Sequence, residues 1–237
     1  MINITNKHIT QSALYAVVSS ALVVLLLFAT FFIAEPTISY GQADTADFYV
    51  RQNITDETSF LVNPSSLNTS GDINGVTGGN ATGTSSFVVK SNNSAGYYVE
   101  IDFFDNGTNP YVAMLGDEDD SEALRNYSAA TSTPTFAFTA STAAQFAYTI
   151  TSSTSADTGD LFLHNGGTYC GTGSTQTAEA CWMTPSTTAV RIVDTTGPAN
   201  TGASSTLTFK INVPSGAVPV PTAQTYTATA TLSLFVK

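Results

Sequence analysis

Thr225-Tyr226-Thr227-Ala228-Thr229-Ala230-Thr231-Leu232-Ser233-Leu234-Phe235-Val236-Lys237 alternates residue by residue. Tyr226, Ala228, Ala230, Leu232, Leu234 and Val236 share one face; the threonines, Ser233 and Phe235 share the other. Only a β-strand has a side-chain period of two, so this stretch predicts a strand with an apolar face inward and a hydroxyl face toward water. The same pattern recurs upstream. Ser205 to Val213 places Leu207, Phe209, Ile211 and Val213 inward against Thr206, Thr208, Lys210 and Asn212 outward. Gln145 to Ser152 aligns Phe146, Tyr148 and Ile150, and Tyr97 to Phe104 aligns Val99, Ile101 and Phe103. Phe87 to Lys90, Thr135 to Phe138 and Val190 to Val193 are shorter strands, and Phe48, Val50 and Ile54 mark a first one. Asn92 to Gly96 is rich in turn residues and predicts a hairpin between its flanking strands.

Short alternating runs between Gly, Asn, Pro and Ser clusters predict an all-β chain. We expect a two-sheet antiparallel β-sandwich, Ig-like or jelly-roll-like, over residues 44–237. Long loops at 106–133 and 157–189 read as insertions on it, and segments of that length carry function or structure of their own. A membrane-spanning barrel needs aromatic girdles and longer strands with lipid-facing apolar bands. The outward positions here carry Thr, Lys, Asn and Glu instead.

Only 11% of the 237 residues are charged, and 18 acids against 7 bases give a net charge of −11. That balance disfavours nucleic acid, which is held by basic patches. Threonine takes the place of charge: there are 38, of which 34 follow residue 43. A β-branched hydroxyl residue suits outward strand positions.

The N-terminal segment reads as export machinery. Lys7 precedes an uncharged, mostly apolar run from Ala13 to Ala34, closed by Glu35-Pro36. Gly41-Gln42-Ala43 offers small residues for cleavage after Ala43. The run is also long enough to span a bilayer, so residues 1–43 are either a removed signal or a retained anchor through residues 13–34. Both readings put the remainder outside the membrane, extracellular or on the cell surface. Cys170 and Cys181 fit that compartment, and a disulfide between them closes a loop worth roughly 2–3 kcal/mol.

Catalytic residues are not evident. His164 is the sole histidine after the export segment, and no Gly-x-Ser-x-Gly elbow accompanies it. Glu100 and Asp102 share one outward strand face, where hydrated like charges are ordinary. Asp117, Glu118, Asp119, Asp120 and Glu122 place five carboxylates in six residues, a candidate calcium site by ligand chemistry. They lack the spacing of an EF-hand. No other cofactor is indicated. Tyr97, Tyr98 and Trp182 are aromatics that could stack on sugars, although Trp182, beside Cys181, suits packing over a disulfide. Six Asn-x-Ser/Thr sequons, at Asn53, Asn68, Asn80, Asn92, Asn106 and Asn126, are no signal in a chain so rich in Ser and Thr.

Four segments carry a resemblance: Asp56 to Phe60, Thr82 to Val89, Asn92 to Ile101 and Pro221 to Leu232. They are similar to a group of secreted, Thr-rich surface proteins of candidate-phylum bacteria with very small genomes. More loosely the chain resembles extracellular WxL and filament-subunit modules, although Trp182 is followed by Met183-Thr184 rather than a Trp-x-Leu. The resemblance implies a surface location and a sandwich, with no reaction. Function is therefore expected to be structural or adhesive and non-enzymatic, with a second copy, other surface proteins or glycans as partners. An exposed sheet edge can take a strand from a neighbour, and Phe48, Val50 and Ile54 make residues 48–54 the candidate donor. The alternative is a carbohydrate-binding module or hydrolase built on the two long loops.

Overall fold

A computed structural model of the chain describes residues 5–33, 48–107, 114–128, 134–140, 142–164, 170–171 and 173–237. It divides into two compact units, Met1–Asn53 and Ile54–Lys237. The proposed cleavage site after Ala43 lies outside the described residues.

In the first unit, helix α1 (Thr5–Ile33) runs for 29 residues. Its Gln11–Thr30 portion has a mean hydropathy of 2.3, long and apolar enough to cross a membrane, a test that a signal sequence also passes. Ser19, Ser20 and Thr30 bond their hydroxyls to carbonyls three residues back, so their polar groups are satisfied within the helix.

The second unit is an all-β sandwich. Its strands are β1 (Thr58–Val62), β2 (Gly79–Ser91), β3 (Tyr97–Phe103), β4 (Met114–Gly116), β5 (Ala123–Asn126), β6 (Gln145–Ser152), β7 (Val190–Asp194), β8 (Ala199–Val213), β9 (Tyr226–Thr227) and β10 (Ala230–Val236). A seven-stranded sheet in the order β1-β2-β8-β6-β5-β4-β9 faces a three-stranded sheet, β10-β3-β7. All pairings are antiparallel except β5 with β6. The core lies between the sheets. Phe87 and Val89 of β2, Tyr148 and Ile150 of β6 and Leu207 of β8 meet Tyr97, Val99, Ile101 and Phe103 of β3 and Ile192 of β7. Phe103 crosses the gap, its ring centroid 5.3 Å from Tyr148 and 6.1 Å from Phe146.

The seven-stranded sheet is covered on its second face as well. Trp182 and Phe138 pack there with Ala147 and Tyr127, and the Lys210 ammonium sits 5.5 Å from both the Phe138 and Trp182 rings. Residues 182 and 183 pair with the margin of the sheet: Met183 and Tyr148 exchange N–H···O bonds of 2.8 and 3.2 Å. Strand periodicity then sends Trp182 to the outer cluster, while Cys181 and Met183 join the main core. The tryptophan thus packs on Phe138, 5.9 Å away, on the other side of the sheet from the core that holds the disulfide. Cys170 and Cys181 are joined, as their spacing implied.

Several expectations need correction. The stretch from Thr225 to Lys237 is two strands in two sheets. β9 pairs with β4 in the large sheet and β10 with β3 in the small one, so the chain changes sheets at Ala228-Thr229. The inward phase is as read, with Tyr226, Ala228, Leu232 and Leu234 packed on the core. β2 and β3 do not form a hairpin. Both edges of β2 are taken by β1 and β8, so the chain must leave the sheet. Asn93 accepts from the Ala95 N–H, and Gly96, at φ +90°, packs so closely on the Thr195 carbonyl that a Cβ would lie 2.3 Å from it. Residues 135–138 form no strand beyond a bridge between Thr135 and Trp182, and residues 48–54 belong to none. Thr149, Thr208 and Asn212 alternate outward yet are buried, because the 134–140 and 176–184 segments cover them. Their polar groups are met: Thr149 donates to the Ala180 carbonyl, and Asn212 accepts from the Ala140 N–H and donates to Asn80. The 106–133 loop contains the β4–β5 hairpin.

Two stability predictions follow from this packing. The disulfide closes a loop over a separation of 11 residues. Mutating both cysteines to Ala is expected to lower unfolding stability by roughly 2–3 kcal/mol in denaturant titrations. Tyr97 is pushed up to about 12 by burial and then by the nearby Asp157 charge. Its raised value stabilises the folded chain below the unfolded tyrosine value of about 10, and that contribution is lost as pH rises toward 12. Phenolate absorbance should show a step late for tyrosine, and Tyr97→Phe should remove it while leaving the still later one of the more deeply buried Tyr148.

Candidate functional site

β10 pairs with β3 over its full length, from Ala230 opposite Phe103 to Val236 opposite Tyr97. The Phe104 N–H bonds the Thr229 carbonyl at 2.9 Å and the Lys237 N–H bonds the Gly96 carbonyl at 3.2 Å, which fixes the phase of the ladder. In an antiparallel ladder alternate residues exchange both bonds with one neighbour. Thr231, Ser233 and Phe235 therefore face β3, and the backbone groups of Ala230, Leu232, Leu234 and Val236 point to the opposite edge. Among the described residues no backbone hydrogen bond meets them there, but β1 runs close alongside. The other edge of the small sheet differs. Along β7, Thr158 bridges to Val193, and the Gly159 N–H bonds the Ile192 carbonyl at 2.8 Å.

A cleft of about 920 Å³ opens beside the start of β10. Its rims are residues 64–75 and 221–230; its apolar floor includes Phe103, Met114, Leu124, Phe146 and Phe209. Three strands cannot shield the inner face of a seven-stranded sheet, and the cleft lies where cover is missing. The outward face of the small sheet carries a stacked ladder: Arg191 lies 3.9 Å above the Tyr98 ring, and Tyr98 stacks on Phe235 at 4.9 Å. Glu100 pairs with Arg191 at 3.8 Å. The end of β10 is clamped by Lys237, whose ammonium bonds Asp194 and the Thr195 carbonyl, while Asn93 donates to its backbone oxygen at 2.9 Å.

The candidate donor residues are exposed apolar side chains: Phe48 at 83%, Val50 at 85% and Ile54 at 80%. The chain becomes fixed just afterwards, where Asn92 accepts from the Glu57 N–H at 2.6 Å and donates to the Thr55 carbonyl at 3.0 Å.

The acidic run is the turn of the β4–β5 hairpin. Gln224 holds it, accepting from the Glu118 and Asp119 N–H groups at 3.0 and 3.1 Å. The Ser121 hydroxyl and N–H both donate to the Asp119 carboxylate and hold it below the usual carboxylate range. Asp117, Glu118, Asp119 and Asp120 are exposed, and Glu122 is half-buried. Among the described residues no three His, Cys, Asp or Glu side chains gather closely enough to hold one ion. Tyr97 and Trp182, read as sugar-stacking aromatics, are buried at 1% and 2% exposure. His164 lies against the Phe136 ring at 4.2 Å, and its Nδ1 has no hydrogen-bond partner among the described residues.

No protein-family model matches the chain, and comparison with the curated proteins returns no match. Function must be read from the site itself. Phe48, Val50 and Ile54 are candidates through their alternation alone. Nothing in the sequence marked the cleft, which requires knowing that β9 and β10 occupy different sheets.

The clamp at Lys237 gives a pH prediction. Burial raises Asp194, but hydrogen bonds and charge from Lys237 and Arg191 outweigh it, and the carboxyl is held below its ordinary value. A lowered value means the stabilisation is present above the unfolded carboxylate pKa and lost as pH falls through the folded one. Lys237→Met should shift the Asp194 midpoint upward in a carboxyl NMR titration; an unchanged midpoint would show that the ammonium plays no part.

Proposed function

We propose that this chain is a non-enzymatic, exported surface protein that assembles with copies of itself by exchanging a strand. The observation that carries the reading is the exposure of Phe48, Val50 and Ile54, three apolar side chains at strand spacing in a segment that belongs to no strand. The apolar helix and the disulfide support export. The sequence's low charge and abundant threonine suit an uncharged structural surface. Burying the three side chains contributes roughly 1.5–3 kcal/mol each. Ordering seven residues costs about 1–2 kcal/mol apiece. The two are of one order, so backbone hydrogen bonds from an acceptor edge decide the balance.

The test is assembly by the full-length chain, followed by electron microscopy. Deleting residues 48–54 should abolish polymers. Val50→Asp should do the same while shifting the melting temperature by no more than about 1–2 °C, because surface substitutions are near neutral for folding. Polymers of wild-type abundance from the deletion variant would overturn the reading.

A further inference from the structure

We infer that the cleft between residues 64–75 and 221–230 binds an uncharged amphipath, a molecule with a long apolar tail and a hydroxyl or amide head. The site lies wholly within the sandwich and is independent of how copies of the chain assemble.

Size and lining come first. At about 920 Å³ the cleft falls within the roughly 300–1,000 Å³ of small-molecule sites. Its apolar lining draws on six strands, through Phe103, Met114, Leu124, Phe146, Phe209 and Leu232. Phe209 and Leu232 point inward yet are only half-buried, because the cleft opens onto them. Such surface favours an apolar guest, which removes it from water.

The walls are in place before any guest arrives. Residues 64–75 form a strap pinned to β2 at two points. Ser65 and Ser85 exchange bonds of 3.0 and 2.9 Å, and the Ser70 N–H bonds the Thr82 carbonyl at 2.8 Å. Leu67 and Ile73 of the strap lie directly over Gly83 and Gly79, where a larger residue would push it away from β2. The facing wall is held at Gln224 by the β4–β5 turn and at Tyr226, whose hydroxyl donates to the Thr222 carbonyl at 2.9 Å. The two walls meet at Gly75, where a Cβ would lie 2.9 Å from the Pro221 carbonyl oxygen.

The polar groups define the head. Ser85, buried in the lining, is already engaged by Ser65 and offers the tail no unmet hydrogen bond. Around the mouth Ser66, Asn68, Asn74, Thr222 and Thr225 are exposed hydroxyls and amides, which suit an uncharged head. Among the described residues that line the cleft Asp72 is the only charged one, and none is Lys or Arg. A carboxylate or phosphate head would meet no counter-charge there. It would instead face Asp72 and the acidic turn that Gln224 holds, and like charges brought together are unfavourable. A cationic head would find only Asp72, whose exposed charge is screened by solvent.

Photolabelling of the full-length chain in lipid nanodiscs tests this with three diazirine probes on one alkyl chain: a fatty alcohol, the matching fatty acid and the matching alkylamine. Peptide mass spectrometry locates the label, and labelling of α1 gives each probe's background from the bilayer. The alcohol is expected to label residues 64–75 and 221–232 saturably, at least tenfold above the acid and the amine after normalisation to α1. Excess unlabelled alcohol should remove that signal. Equal or stronger labelling there by the acid or the amine would overturn the class of guest. Labelling that neither saturates nor competes would overturn the site. Ala228→Trp, which places an indole in the cleft, should lower alcohol labelling at least tenfold with an unchanged circular dichroism spectrum; undiminished labelling in that folded variant would also overturn the site. Asp72→Lys, at an exposed rim position that folding tolerates, provides the second arm. It should raise labelling by the acid roughly threefold or more and leave labelling by the alcohol little changed. An acid signal that stays at background in Asp72→Lys would overturn the argument from charge.

Discussion

The fifteen-residue strand β8, hydrogen-bonded along both edges, is the constraint on which the rest of the sandwich depends. β2 follows it from Gly79 opposite Val213 to Ser91 opposite Ala199, and β6 follows it from Gln145 to Ser152. A strand with both edges paired has one register that keeps its apolar residues inward, since a one-residue slip would turn Leu207 and Ile211 to the wrong face. Gly202 accommodates the length of this pairing. It takes φ +94° with Val88 close by, so a side chain there would be both strained and crowded. With β2, β8 and β6 fixed, β3 and β7 have a surface to close against.

The same sheet is buried on both faces along β6, which is uncommon for a strand whose outward residues are Ala147, Thr149 and Thr151. The covering segment supplies hydrogen-bond partners as well as apolar weight. Gln176 accepts from the Thr158 hydroxyl at 2.6 Å and from the Ser152 N–H at 2.9 Å, and it donates back to the Ser152 carbonyl. Hydroxyl side chains fit such a place because each satisfies itself locally with one donor and leaves no charge to desolvate. The disulfide pins this cover at Cys181, one residue before Trp182 enters the outer cluster.

What could be read beforehand was the phase of the long strands. β3, β6 and β8 each carry five or more alternating positions, enough for period two to stand out, and their inward residues were legible from the chain alone. β4 and β5, with three and four residues, are too short to show a period, and their hairpin was hidden within an apparent loop. The turn at Asn92 to Gly96 announced a reversal, but turn chemistry specifies that a chain turns and not which sheet it enters. Burial of Thr208 and Asn212 was invisible for another reason. Their cover arrives from residues 134–140 and 176–184, far away in sequence. Residues 48–54 alternate as a strand would yet belong to none, because alternation alone supplies no neighbouring edge to pair with.

That division has a mechanical side. Tyr226–Thr227 holds the large sheet through two residues, whereas Ala230–Val236 holds the small sheet through seven. A chain that crosses between sheets ties them together: the Ala228-Thr229 crossover joins the two ladders covalently, so the small sheet cannot part from the large one at this end without breaking the β9 or the β10 pairing.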